Sequence, residues 1–566
     1  MSRLVCVCAG AAVSIAGVSN ADPWAPPVGY YSGATGTGAT LKSQLFSIMS
    51  SGHILRNYGS VRFSSAITDA DPDTPGNILL MYNRASVSST WDSGSTWNRE
   101  HVWPQSLQPA SASNGTANAA SDAHSLRPCN PTVNSQRSNQ PFGLDFSTGL
   151  NADIGAYYFP GDSDKGDAAR ILFYFETRWG PSEGVQLING LPSGFQMGDL
   201  ASLIAWHYLD VPDEFERRRN HTIYSSAYNP TYYTNNRNAF IDHPEYVWSI
   251  WVDQNNDSQL SVQVTPAGDG GSSALVQMPG MLVGSSTPPE VTLPLFNFGF
   301  DPTYYDVSVS GEATSENEGS LNAFAINGSG SDIHIISVGI DTATPGVVGL
   351  KTGQVVIDNL DITSGEGLGR AAQDANDTID IELAVLDHAE ASFASGFDQN
   401  TTSFDLGTIA LGGGDSLDSV DVFNLEATPG FTAGLDITLA GSSGDTGALV
   451  VDTTSLAAIA SGSSDSLSVR LVDDNAGSFS ATYTFDTGDD ATLHGAASGD
   501  QIVLTLTGSV GASCYADLNG DGFRDGADLG LLLGNWGSPG SSDLNNDGTT
   551  DGADLGLMLG AWGACP

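Results

Sequence analysis

Between Trp97 and Gly143 the chain concentrates side chains suited to proton transfer and phosphate chemistry. Three stretches carry them: Trp97-Asn-Arg-Glu-His-Val-Trp-Pro104, Ser121-Asp-Ala-His-Ser-Leu-Arg-Pro128 and Thr132-Val-Asn-Ser-Gln-Arg-Ser-Asn-Gln-Pro-Phe-Gly143. Together they offer a carboxylate beside a histidine, a second histidine, several arginines, and carboxamides on a Pro-initiated segment. HExxH, a CxxC pair, GxSxG and a P-loop are missing, so zincin, serine-hydrolase and NTPase chemistry lack their usual support. The set suits one oxygen-loving divalent ion on Glu100 and an Asn, a neutral imidazole as base, and guanidinium groups for phosphate.

The elements expected to position this cluster are mixed α and β. Asp167 to Trp179 places Ala168, Ile171, Leu172, Phe175 and Trp179 at helical spacing, which predicts a buried helix. Leu200 to His207, Glu214 to Tyr224 and Tyr246 to Trp251 read as further helices, with Trp248 and Trp251 in the core. After Asn255 the texture changes to alternating apolar and polar strings, such as Gln354-Val-Val-Ile and Ile379-Asp-Ile-Glu-Leu-Ala-Val, separated by Gly, Ser, Asp and Asn turns. The expected architecture is multidomain. An α+β domain spans 22–255, two all-β sandwich-like domains span 256–390 and 391–510, and a small helical module spans 514–566.

The formal charge of −46 is unevenly spread. Residues 1–255 hold 15 Lys+Arg and 22 Asp+Glu, whereas 256–566 hold 4 and 43. That balance excludes a basic nucleic-acid coat and a polybasic membrane patch, but not a local site in the first part. Met1-Ser2-Arg3, an apolar run to about Gly17 and Ser19-Asn20-Ala21 read as a secretory signal over 1–21, cut after Ala21. No later run is apolar for 18 residues, so the exported chain is expected to be a soluble, extracellular monomer without a transmembrane segment. Of the cysteines that remain, Cys514 and Cys565 bracket the tail and are expected to form a disulfide. Cys129 reads as a buried inert thiol.

The tail is a duplication. Asp517-Leu-Asn-Gly-Asp-Gly-Phe-Arg-Asp-Gly-Ala-Asp528 recurs 26 positions later as Asp543-Leu-Asn-Asn-Asp-Gly-Thr-Thr-Asp-Gly-Ala-Asp554. Oxygen side chains fall at loop positions 1, 3, 5, 9 and 12 (Asp517, Asn519, Asp521, Asp525, Asp528; then Asp543, Asn545, Asp547, Asp551, Asp554), with Gly at position 6. Position 7, Phe523 or Thr549, would add a carbonyl. This is the pattern a Ca²⁺ loop requires. Each loop is followed by an apolar helix face: Leu529, Leu532, Leu533 and Trp536, then Leu555, Met558, Leu559 and Trp562. The pair resembles a type I dockerin, an EF-hand-like module. That likeness implies calcium-dependent folding and a cohesin or cell-surface partner, although Gly526-Ala527 and Gly552-Ala553 stand where cohesin-binding members carry Ser/Thr-type contacts.

The 40–252 segment in turn resembles the endonuclease I family of secreted nucleases, within the ββα-metal (His-Me finger) superfamily. Further matching motifs are Lys165-Gly-Asp-Ala-Ala-Arg170, Asp213-Glu-Phe-Glu-Arg-Arg-Arg-Asn220 and Asn236-Arg-Asn-Ala-Phe-Ile-Asp-His-Pro-Glu245. The resemblance implies a sequence-nonspecific endonuclease acting on DNA, with RNA as the other candidate, and products carrying 5′-phosphates. It assigns His101 as general base and Glu100 and Asn134 as ligands of one Mg²⁺; Arg127 is the candidate for the non-bridging phosphate oxygens, with structural pairing to a carboxylate as its alternative. Asn139 is the alternative to Asn134. His124 and Asp122 either orient the site or cap a turn, and Arg217 to Arg219 either track phosphates or form a solvated face. The competing reading is a calcium-stabilised adhesion or scaffold protein with an inactive nuclease-like domain.

Overall fold

A computed structural model describes residues 22–143, 149–253, 256–285, 290–319, 321–325, 332–341, 347–360, 374–511 and 514–565. The expected signal segment, with Cys6 and Cys8, lies outside the described residues. The chain forms two compact units. The first is built from Met1–Met278, Glu290–Asp341 and Thr352–Glu382, the second from Pro279–Pro289, Thr342–Lys351 and Leu383–Pro566.

In the first unit the N-terminal α/β region is organised around α4 (Lys165–Glu183), which is buried from Gly166 to Trp179. Its apolar residues at helical spacing meet α1 (Gly38–Ser50) and α5 (Leu200–Leu209), giving one core that includes Leu41, Leu45, Leu172, Phe175, Leu203 and Trp206. A Cβ at Gly166 would run into the carbonyl oxygen of Asp210, so only glycine permits α5 to end this close to the start of α4. α2 (Tyr58–Thr68) begins at Asn57, whose side chain accepts from Ser60 N at 2.8 Å, and α6 (Glu214–Tyr224) packs against it. Trp248 is buried and Trp251 packs on the same core.

The downstream part of this unit is β. Tyr304↔Leu360 through Gly311↔Gly353 pair antiparallel, as do Val291↔Val338 through Asn297↔Asp332. Tyr304 does not stay within its own strands. It is fully buried in the α/β core, 4.9 Å from the Tyr208 ring, and its hydroxyl donates to the His207 carbonyl. The segment after residue 255 thus helps complete the core of the segment before it.

Besides a short strand pair in the tail, the described residues of the second unit form two further sheets. One joins strands Glu390–Ser392, Ser416–Leu425, Ser464–Leu471 and Leu449–Val451, and the other joins Thr401–Ala410, Ile502–Gly511, Gly477–Asp489, Leu435–Gly444 and Ser455–Ile459. Their alternate residues, among them Val422, Leu467, Phe485 and Leu504, form a common apolar core. The tail has two nine-residue helices, Gly526–Gly534 and Gly552–Gly560, closed by a Cys514–Cys565 disulfide. The apolar faces read from the sequence are only partly covered. Leu532 and Met558 are buried, but Leu533, Trp536, Leu559 and Trp562 are 47–52% exposed, because helices this short bury only one turn against each other.

Candidate active site

The central residues of the site sit on a strand–strand–helix unit. Strand β1 (Asn98–His101) pairs antiparallel with β2 (Leu126–Cys129), and α3 (Pro131–Arg137) follows directly. The local sequence explains the helix. Pro131 occupies its first position, where no N–H is needed, and the Asn130 side chain accepts from Thr132 N at 2.9 Å and Val133 N at 3.3 Å. Ser138, at φ 52°, ends it.

A cleft of about 360 Å³ has Arg99, Glu100, His101, Asn134, Arg137 and Asn139 among its lining residues. Glu100, His101 and Asn134 are therefore brought together, and Asn139 shares the cleft, where its amide reaches Ser106 Oγ at 3.3 Å. His101 Nε2 lies 2.9 Å from the Ala120 carbonyl. A carbonyl only accepts, so Nε2 carries the proton and Nδ1 is the basic nitrogen. The imidazole is stacked on Tyr58 at 5.3 Å. Burial pulls its pKa down to about 4, against the Ala120 hydrogen bond and with Arg99 and Arg137 adding to the fall, so the ring is neutral near pH 7.

Glu100 is buried, and burial pushes its pKa up, opposed by Arg137 and by the hydrogen bond from Tyr82. Tyr82 donates to Glu100 Oε1 at 2.7 Å, and Arg137 lies 3.3 Å from the same oxygen. Asn134 Nδ2 donates to Asn98 Oδ1 at 2.8 Å, so the amide is turned with its oxygen available to a ligand. A buried carboxylate oriented by a tyrosine, and a carboxamide oriented by another carboxamide, make an all-oxygen donor set. Such a set fits a hard divalent cation, which would also relieve the desolvation of Glu100.

Arg127 is not brought to the cleft. It is 1% exposed, with Nε 2.7 Å from Asp69 and an N–H donating to Asp167 at 3.0 Å. Arg219 shares Asp69 at 2.9 Å and donates to the carbonyls of Ala123 and Leu126, so this ionic group braces β2 from behind. Two carboxylates thus occupy the guanidinium that the sequence suggested for phosphate. Asp122 accepts from Tyr174 Oη and Trp179 Nε1, and His124 donates to the Asn236 carbonyl, which ties both into the core. Arg217 bonds Asp22 and the Gly319 carbonyl, and Arg218 bonds the Ala70 carbonyl. Cys129 is a buried free thiol whose pKa burial drives well up, so it is unreactive.

Asn98, Tyr82, Arg99 and Arg137 escaped the sequence reading. Two had a legible signal: Asn98 shares a strand face with Glu100 by the two-residue period, and Arg137 lies one helical turn beyond Asn134. Tyr82 had none, because its position opposite Glu100 is tertiary.

In the tail, the Asp517 carboxylate accepts from the backbone of Gly520, Asp521 and Gly522, and Asp528 accepts from Leu518, Asn519 and Asp525. Oxygens of Asp517, Asp521 and Asp528 lie within 4.8 Å of one another. Asp543 and Asp554 repeat this pattern with Asp547, Gly548, Leu544, Asn545 and Asp551. Phe523 N and Thr549 N donate to Asp521 and Asp547. Asp525 and Asp551 cap the following helices.

Residues 37–245 match the family described as Endonuclease I. The chain is 38% identical over 243 residues to an extracellular ribonuclease of Bacillus subtilis (strain 168), covering 41% of this chain and 81% of that protein. It is 38% identical over 266 residues to an extracellular ribonuclease of Bacillus amyloliquefaciens, covering 44% and 88%. Among solved structures, the calcium binding domain CBD12 of CALX1.1 covers 39% of this chain and 79% of its own, with 14% identity and a TM-score of 0.18, too slight a likeness to bear on the fold. The family match spans the hairpin, helix and cleft just described, and the two ribonucleases are covered over most of their length: this chain belongs to the Endonuclease I family.

Proposed function

We propose that the chain is a secreted, metal-dependent, sequence-nonspecific endonuclease that hydrolyses phosphodiester bonds and leaves 5′-phosphate ends. The observation that carries this reading is His101. Its proton is held on Nε2 by a carbonyl, and its basic Nδ1 belongs to a ring that lines the same cleft as Glu100 and Asn134. His101 would take a proton from water as that water attacks phosphorus. Glu100 and Asn134 would hold one Mg²⁺, which when bound supplies positive charge for the departing 3′-oxygen and the phosphorane. Arg137 spends its donors on the His101 and Val102 carbonyls and so positions the base. Arg99 takes the phosphate-contacting role first given to Arg127, since it lines the cleft and no described carboxylate is within ion-pairing distance of it. RNA joins DNA as substrate because both Bacillus relatives are named extracellular ribonucleases, and that naming together with the 1–21 signal supports export.

The domain extents we propose are 22–255 for the nuclease, 256–390 and 391–510 for two β domains, and 514–566 for a dockerin-like, calcium-binding module. The Asp517–Asp521–Asp528 cluster supports a structural Ca²⁺ role for that module. Plasmid DNA and RNA incubated with and without EDTA, beside His101→Ala, test the nuclease reading. Wild type should cut only without EDTA, and His101→Ala should lose roughly 10²–10⁴-fold of the rate. A wild type that leaves both substrates intact with Mg²⁺ present would favour the scaffold reading.

A further inference from the structure

We propose that the side chains leading away from His101 form a stacking track for the unpaired bases of a single-stranded nucleic acid, so that single strands are taken in preference to duplex. The inference rests on the nuclease reading of the adjoining cleft and names its substrate class.

Each step of the track is a close contact. His101 stacks on Tyr58 at 5.3 Å, and the Arg99 guanidinium lies 3.6 Å from the same Tyr58 ring. Arg99 is also 5.2 Å from the Trp91 ring, Arg62 is 5.7 Å from Trp91 and 4.8 Å from Phe63, and Phe63 stacks on Tyr232 at 6.0 Å. Phe63 is 44% exposed, and Ile67, one turn further along α2, is exposed as well. The track therefore runs from the proposed base out to the surface.

Its charge is as telling as its rings. Acidic residues outnumber Lys+Arg by 65 to 19, and the arginines 127, 137, 170, 219 and 237 are each paired with a carboxylate. Among the described residues, Arg56, Arg62, Arg99, Arg178, Arg218 and Arg524 have no such partner, and of these Arg62 and Arg99 are the two that lie against the rings of the track, Arg99 also donating to the Tyr58 carbonyl. Uncompensated guanidinium groups alternating with aromatic faces match a strand in which phosphates alternate with bases. In a duplex the bases are stacked and paired, so only the phosphates could be met. Single strands of RNA and of DNA share the chemistry the track reads.

Anisotropy of fluorescein-labelled oligonucleotides with the full chain, in EDTA to withhold the metal, tests this on single-stranded RNA, single-stranded DNA and a DNA duplex. Phe63→Ala and Trp91→Leu should each weaken both single strands at least five-fold and the duplex less than two-fold. Arg62→Gln should flatten the salt dependence. Trp91 packs near Trp97, so the exposed Phe63 provides the variant least able to disturb folding. Variants that bind single strands as wild type does, or lose duplex equally, would overturn the track. Loss confined to RNA would mean 2′-hydroxyl recognition and would also overturn it. Cleavage by wild type with Mg²⁺, scored separately, distinguishes this from failure of the nuclease reading: a wild type that binds through the track and cuts nothing keeps the track and loses the enzyme.

Discussion

Replacing Arg127 with methionine separates a phosphate-binding arginine from a buried brace. The side chain has two ionic partners, Asp69 at 2.7 Å and Asp167 at 3.0 Å, and all three residues are out of water. Removing one partner of a buried ion pair costs about 3–5 kcal/mol, because the charge left behind is uncompensated. Here Asp69 keeps Arg219 at 2.9 Å and Asp167 keeps Arg84 at 3.3 Å, so the cost belongs at the lower end, about 3 kcal/mol. For a unit of this size that is a fall in Tm of roughly 6–12 °C. Cleavage at 20 °C, where the variant is still folded, should stay within a few-fold of wild type. Thermal melts by circular dichroism and initial rates on plasmid DNA measure the two quantities independently. An unchanged melt with a rate loss of 10²-fold or more would refute the placement and return Arg127 to the phosphate.

Three more outcomes follow from the geometry. Burial lowers the His124 pKa from 6.5 to about 4, so the unfolded chain binds more protons than the folded one between those values. Stability present above pH 6.5 is therefore lost as pH falls toward 4, by about 2 kcal/mol at pH 5, and urea melts of wild type and His124→Gln at pH 7 and pH 5 should differ by that amount. If the two proteins lose equal stability, His124 is not the group responsible. Tyr304→Ala should lower the melting temperature of the nuclease core, at a cost of about 3–5 kcal/mol, because the ring is buried among Tyr208 and His207. A 22–255 fragment as stable as the full chain would contradict this. Calorimetric Ca²⁺ titration should find two sites in wild type and one in Asp528→Ala, since Asp528 belongs to the first loop and Asp554 to the second. An unchanged stoichiometry would remove calcium from the first loop.

Much of the candidate site was legible because its signals are local. Glu100 next to His101, and Asn134 a fixed distance beyond Leu126-Arg-Pro128, lie within one strand–strand–helix unit whose start and stop are written in Asn130, Pro131 and the alternation of β1. The helix at Asp167–Trp179 was equally plain, since its apolar spacing is a property of the chain segment itself. The apolar stripe of the tail is legible as helical in the sequence, whereas which of its residues are buried depends on what packs against them.

By itself the sequence determined the chemistry available: one carboxylate, one imidazole and one carboxamide close together in the chain, a duplicated acidic loop, and a charge confined mostly to the second half. Tertiary structure decided which groups are free to use it. Arg127 and Arg99 look alike in sequence, but folding sets two carboxylates against the first, and aromatic faces and the Tyr58 carbonyl against the second. Likewise Tyr82 reaches Glu100 across 18 positions, and Tyr304 enters the α/β core and reaches the His207 carbonyl across 97. Periodicity and spacing encode neighbours a turn or a strand apart, whereas the pairing of distant charges and rings is settled only when the chain closes on itself and water is excluded.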